Sequence, residues 1–125
     1  YEGVLDNLRP PLDFNEALQH ALTFVWYVQS LGDIFKIGIT AQPAHRFEGK
    51  QAWAYIRDPR HEFKHFKIIW IACRSHKTVP GSSGHMETLL IEVFNRLTCH
   101  CCLNGEGTGG ECPAPGPVHF VYVVW

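Results

Sequence analysis

The stretch FVWYVQSLGDIFKIGITAQPAHRF, Phe24 to Phe47, decides how the chain is read. Residues 24–30 and 34–40 are rich in β-branched and aromatic types, and SLGD between them is turn chemistry, so the pattern predicts a β-hairpin. Strand side chains alternate, and opposed partners share a face. With the turn centred on Leu31-Gly32 or Gly32-Asp33, one face holds Phe24, Trp26, Val28, Phe35, Ile37 and Ile39, the expected core side. The other holds Val25, Tyr27, Gln29, Lys36, Gly38 and Thr40, and so gathers polar groups around a glycine that admits a close neighbour.

Upstream, residues 13–23 set Phe14, Ala17, Leu18, Ala21 and Leu22 at helical spacing behind a capping Asp13, which predicts a short amphipathic helix. Downstream, Pro43 opens a second expected helix over residues 43–55, with Thr40 or Gln42 near its cap. Residues 56–62 read as a basic loop and 63–73 as a third strand. Residues 85–98 form the clearest helical pattern, with Met86, Leu89, Leu90, Val93 and Leu97 as its apolar stripe. A Cys, Gly and Pro-rich loop spans 99–117, and VHFVYVVW at 118–125 is a last strand. These elements predict an α+β fold: a small central antiparallel sheet of three or four strands flanked by helices.

At 125 residues the chain is expected to be a single domain, 1–125, large enough for a real core. Its longest apolar run, Ile68 to Cys73, is six residues, too short to span a bilayer. The chain opens on Tyr1 without a basic-then-apolar leader, which reads as an excised domain or a processed product. The formal charge of -1 hides an asymmetry: nine of the eleven Lys and Arg lie between Lys36 and Lys77, against Glu48, Asp58 and Glu62. Four histidines, His45, His61, His65 and His76, fall in the same stretch. Clustered cations suit a polyanionic partner, because they release counterions condensed on phosphates, and they equally suit a solvated face balanced by acidic ends.

The motifs VWY (Val25 to Tyr27), KIG (Lys36 to Gly38), Arg46 eight residues beyond Gly38, and a helical Glu87 together resemble the GIY-YIG nuclease superfamily, in its T5orf172 and MUG113-type branch. The resemblance covers roughly residues 24–97. Val25-Trp26 stands where Gly-Ile is usual, and Lys36 stands where a second tyrosine is usual, as in the variant branch. It implies a GIY-YIG-like fold and a metal-dependent endonuclease acting on phosphodiester bonds, in DNA more than RNA. Tyr27 is then the general base, Arg46 the phosphate clamp, and Glu87 the ligand of Mg²⁺ or Mn²⁺. Lys36 would acidify the phenol or bind phosphate, and His45 would relay protons. Gly38, Lys50 and Asn104 would line the substrate, Asn104 matching the family's asparagine better than Asn95.

Each residue also has a plainer reading. Tyr27 and Lys36 read as ordinary strand side chains, and His45 and Arg46 as helix surface. If Gly84 is the N-cap, Glu87 completes a cap at the third helical position, while its place beside Met86 and Leu90, on the rim of the buried stripe, equally suits a carboxylate aimed at the sheet. A catalytically silent module binding nucleic acid or a protein partner is therefore the alternative function. The five cysteines add a third reading, a zinc-stabilised interaction domain. Cys99, Cys101, Cys102 and Cys112 have the donors for a Zn²⁺ site, while a Cys102–Cys112 disulfide or reduced thiols are the competing states, and Cys73 ends an apolar strand. A domain of this size is expected to use a dimer or a further targeting domain, in an intracellular setting, nuclear or cytoplasmic.

Overall fold

The computed structural model describes residues 13–50, 54–72, 81–96, 101–104 and 118–125. Helix α1 runs Phe14–Ser30, with the Asp13 carboxylate accepting the Glu16 N–H at 2.9 Å as its cap. Residues 24–30 therefore continue the helix and do not form the expected first strand of a hairpin. Ala17, Ala21, Val25 and Val28 are its buried positions, so helical spacing carries on through the β-branched stretch. Extending a helix that is already running adds a hydrogen bond per residue without a new nucleation cost, and intrinsic β preference is too weak to stop it. Gly32, at φ +78°, supplies the left-handed residue after the helix end, and its N–H donates to the Gln29 carbonyl.

Strand β1 (Lys36–Thr40) follows, then α2 (Pro43–Glu48), a 3-10 turn at Tyr55–Arg57, β2 (Phe66–Ala72), α3 (Ser83–Asn95) and β3 (His119–Val124). Pro43 begins α2 as expected, but the helix stops at Glu48 and does not reach residue 55. The three strands form one antiparallel sheet in the order β1-β3-β2, so the last strand of the chain is the central one. A register irregularity between Ile68 and Trp70 bends β2. The class is thus α+β, a small antiparallel sheet with helices.

The sheet separates two apolar clusters. On one face α1 and α3 pack over Ile37, Val121 and Val123. On the other, Phe47 of α2, Tyr55 and Phe63 pack over Phe66, Ile68, Tyr122 and Val124. Helix α3 is capped by Ser82, whose Oγ accepts the His85 N–H at 3.0 Å, so Gly84 is inside the helix. Its buried positions are Ser83, Gly84, Met86, Glu87, Leu90, Ile91 and Phe94. The expected stripe is rotated accordingly: Val93 is 40% exposed, Leu89 is half-buried, and Leu97 lies outside the described residues. Among the described residues no helix is long and apolar enough to cross a membrane.

The outer edge of β1 is covered by residues 101–104. Phe35 N–H donates to the Cys101 carbonyl, and Leu103 N–H donates to the Phe35 carbonyl, both at 2.9 Å. The Asn104 side chain continues that ladder, accepting from Ile37 N–H and donating to the Ile37 carbonyl at 2.8 Å each. An amide side chain carries one acceptor and a donor group, which lets it stand in for a strand residue and blunt an edge. Asn104→Ala is expected to cost about 1–3 kcal/mol, because two backbone groups lose their partners. A denaturant melt together with loss of hydrogen-exchange protection at the Ile37 amide would measure it, and an unchanged Ile37 amide would refute it.

Candidate functional site

The register of β1 on β3 sets Tyr122 directly opposite Gly38. A side chain at Gly38 would overlap the Tyr122 Oη and Cζ, so the phenol lies across the β1 backbone in space that only glycine leaves open. The Phe66 ring stacks on the same phenol at 4.4 Å. Lys36, Gly38 and Thr40 do share a face, as expected, but their partners there are Val124, Tyr122 and Phe120 of β3. The close neighbour that Gly38 admits is Tyr122, not Tyr27.

Around this phenol the chain assembles a small polar cluster. Arg46 Nε donates to Tyr122 Oη at 3.4 Å, and its Nη2 donates to Tyr55 Oη at 3.3 Å. The two hydroxyls are 2.6 Å apart and share a hydrogen bond. The Arg46 guanidinium lies 4.3 Å from the centroid of the Tyr55 ring, and Lys36 Nζ lies 5.9 Å from it. Cations over a phenol ring are attracted by its negative face. Helix α2 holds Arg46 here because the neighbouring Phe47 is buried against Phe66, ring centroids 5.4 Å apart.

Two hydroxyls carry two protons, and the Tyr55–Tyr122 bond uses one. The second is left to donate to a third group beside a guanidinium, which is the donor set an oxyanion needs.

Burial pushes the Tyr122 phenol well above its ordinary range, and the neighbouring Tyr55 hydroxyl adds to this while Arg46 opposes it. Tyr55 is also raised, first by burial, with Arg46 pulling it down and Glu87 pushing it up. The charged guanidinium is favoured on balance: burial works against it, and the two phenolic oxygens more than offset that. Both tyrosines therefore keep their protons at neutral pH and act as donors.

Glu87 is 5% exposed, on the buried stripe of α3 and beyond its first turn, so a capping role does not account for it. Its charge is felt at Tyr55 across the cluster. Arg46, Lys36, Gly38 and the field of Glu87 thus converge, and four other expected site residues do not join them. Tyr27 stands on α1, 55% exposed, with its ring against Phe24 on the opposite side of the sheet. His45 is exposed on α2, where its carbonyl accepts the Gly49 N–H that ends the helix. Lys50 is exposed just beyond that end. Asn104 is committed to the Ile37 backbone.

Sequence reasoning missed Tyr122 and Tyr55. The alternation of HFVYVV, together with a glycine demanding a close neighbour, pointed to the first; nothing in the pattern pointed to the second, which sits in a 3-10 turn. Of the cysteines read as a zinc set, Cys101 and Cys102 flank Phe35 at the β1 edge, and Cys99 and Cys112, like Cys73, lie outside the described residues. Among the described residues no three His, Cys, Asp or Glu side chains gather as a metal site. No family model, curated protein or solved structure matches the chain.

Proposed function

We propose that the Arg46 cluster binds a phosphodiester and that the domain is a metal-dependent endonuclease acting on DNA in preference to RNA. One observation carries this: a half-buried guanidinium shared by two protonated phenols, with a spare hydroxyl proton, Lys36 beside it and the charge of Glu87 nearby. Arg46 grips a phosphoryl oxygen through its planar fork, and the free O–H donates to the same group. Lys36 faces charge that develops on the leaving oxygen.

The GIY-YIG resemblance gains a different tyrosine in this reading. The strand that lies beside Ile37-Gly38 is β3, and Tyr122 stands where the family's tyrosine strand would place one, as a protonated donor and not as the general base that Tyr27 was expected to be, with the tyrosine strand last in the chain instead of first. Glu87, a hard oxygen donor on the buried stripe of α3 whose charge reaches Tyr55, is the carboxylate that would hold Mg²⁺ or Mn²⁺. Such an ion would supply Lewis-acid stabilisation of the phosphoryl group. An intracellular setting, nuclear or cytoplasmic, and a dimer or targeting domain belong to the same reading.

The raised phenol pKa values favour a second reading, a catalytically silent module that binds nucleic acid or a protein, because neither tyrosine is set to abstract a proton at neutral pH. Plasmid nicking with and without Mg²⁺ or Mn²⁺ separates the two. Metal-dependent nicking is expected from the wild type and is lost in Glu87→Ala and Arg46→Ala. No nicking by the wild type, or equal nicking by wild type and Glu87→Ala, would leave the silent module as the function.

A further inference from the structure

A second set of aromatic rings lies away from the Arg46 cluster and has no part in it. Tyr27 of α1 meets Phe24 at 6.1 Å between ring centroids, Phe24 meets Trp125 edge-on at 5.5 Å, and Trp125 stacks on His65 at 5.1 Å. The rings form one row across the end of the sheet, tied there by the Trp125 backbone, which exchanges hydrogen bonds with His65 at 2.8 and 3.0 Å. Cations accompany the rings. Lys67 Nζ lies 5.4 Å from the Phe24 centroid, and the exposed Lys64 lies 4.0 Å from the likewise exposed Glu62 carboxylate. Trp125 and His65 also border an open groove of about 620 Å³, whose other walls include Arg60, Lys64 and Phe63, with Asp33 and Glu62 as its acids. In the groove Arg60 and Lys64 are matched by Asp33 and Glu62, so the excess cation along the row is Lys67 beside Phe24.

We infer that this row and groove form a track for an unpaired nucleic-acid strand. Tyr27 and His65 are exposed, while Phe24 and Trp125 between them are half-buried against the core; the open ring faces offer stacking surfaces to bases, and the lysines beside them meet the phosphates. A duplex cannot use the rings, because its base faces are already stacked on one another. A purely apolar docking face would not set lysines and histidines among its aromatics. The ring contacts continue inward as well: Phe63, in the groove wall, meets Tyr55 edge-on at 5.4 Å. The inference rests on the nucleic-acid part of the proposed function and not on cleavage.

Fluorescence anisotropy of the full chain with a labelled oligothymidylate of about 12 nucleotides, within the usual site size of such surfaces, tests it. The single strand is expected to bind more tightly than a duplex of equal length, and binding weakens as salt rises. Tyr27→Ala lowers the affinity roughly ten-fold, the loss of one stacking platform, while Tyr27→Phe, which keeps the ring, retains it. Lys67→Ala weakens binding and flattens the salt dependence. Arg46→Ala abolishes nicking, and in its background Tyr27→Ala still weakens strand binding. Duplex preference, no binding of either probe, or wild-type affinity in both Tyr27→Ala and Lys67→Ala would overturn the track. Strand binding that survives in a protein that never nicks would sink the hydrolytic reading alone.

Discussion

Gly38→Ala is expected to destabilise the domain by about 3 kcal/mol, at the upper end of the cost of overpacking a core and a large part of the 5–15 kcal/mol that holds a typical domain together. At an ordinary strand position the same change tends to stabilise, by about 0.4–1 kcal/mol, since alanine has less conformational freedom to lose. Here the sign inverts, because the added methyl would overlap the Tyr122 phenol. That ring cannot swing aside. It is 2% exposed, stacked on Phe66 and hydrogen-bonded to Tyr55 and Arg46. Denaturant melts of Gly38→Ala, Tyr122→Leu and the double variant would check the cause. With the phenol gone, the alanine should cost little, so the two changes should be strongly non-additive. Simple additivity would mean that the phenol is not what demands glycine.

The tyrosine pair should also make the domain sensitive to alkali. In the unfolded chain a phenol loses its proton near pH 10. In the folded protein burial raises both Tyr55 and Tyr122 above that range. Below about pH 10 both states hold these protons, and the contribution to stability is constant. Above it the native state binds two more protons than the unfolded state, so stability falls as pH rises, by about 1.4 kcal/mol per pH unit for each phenol, until the folded pKa values are reached. Tyr55→Phe and Tyr122→Phe should each remove about half of that slope. Chemical denaturation across the alkaline range, with tyrosinate absorbance followed in the folded protein, measures both quantities. Folded phenols that ionise at the ordinary pH would remove the basis for treating them as donors and return a general-base role to the site.

The same pair shows what tertiary packing adds to local pattern. Lys36, Gly38 and Thr40 could be put on one face from alternation, and Gly38 could be read as a point of close approach. Their partner strand could not, because FVWYVQS lay nearby and carried its own tyrosine. Its valines and aromatics suit a strand, yet Val25 and Val28 also continue the spacing of Ala17 and Ala21, and burial against the sheet favoured the helix. Glu87 is a similar case. A carboxylate near a helix start reads equally as a cap or as the rim of the buried stripe, and the Ser82 cap decides for the stripe.

From sequence alone come the features that local chemistry dictates: Asp13 capping α1, Pro43 opening α2, the strand character of residues 66–72 and 119–124, the basic middle of the chain, and the glycine that needs a neighbour. The tertiary structure alone decided that β3 fills the centre of the sheet, that Tyr122 and Tyr55 meet Arg46, and that Tyr27 faces outward beside Phe24. The physical reason is separation along the chain. Caps and turns are stabilised by groups a few residues apart, whereas strand order and the convergence of Arg46 with Tyr122 depend on which distant apolar faces bury one another, and a one-dimensional pattern leaves several pairings open.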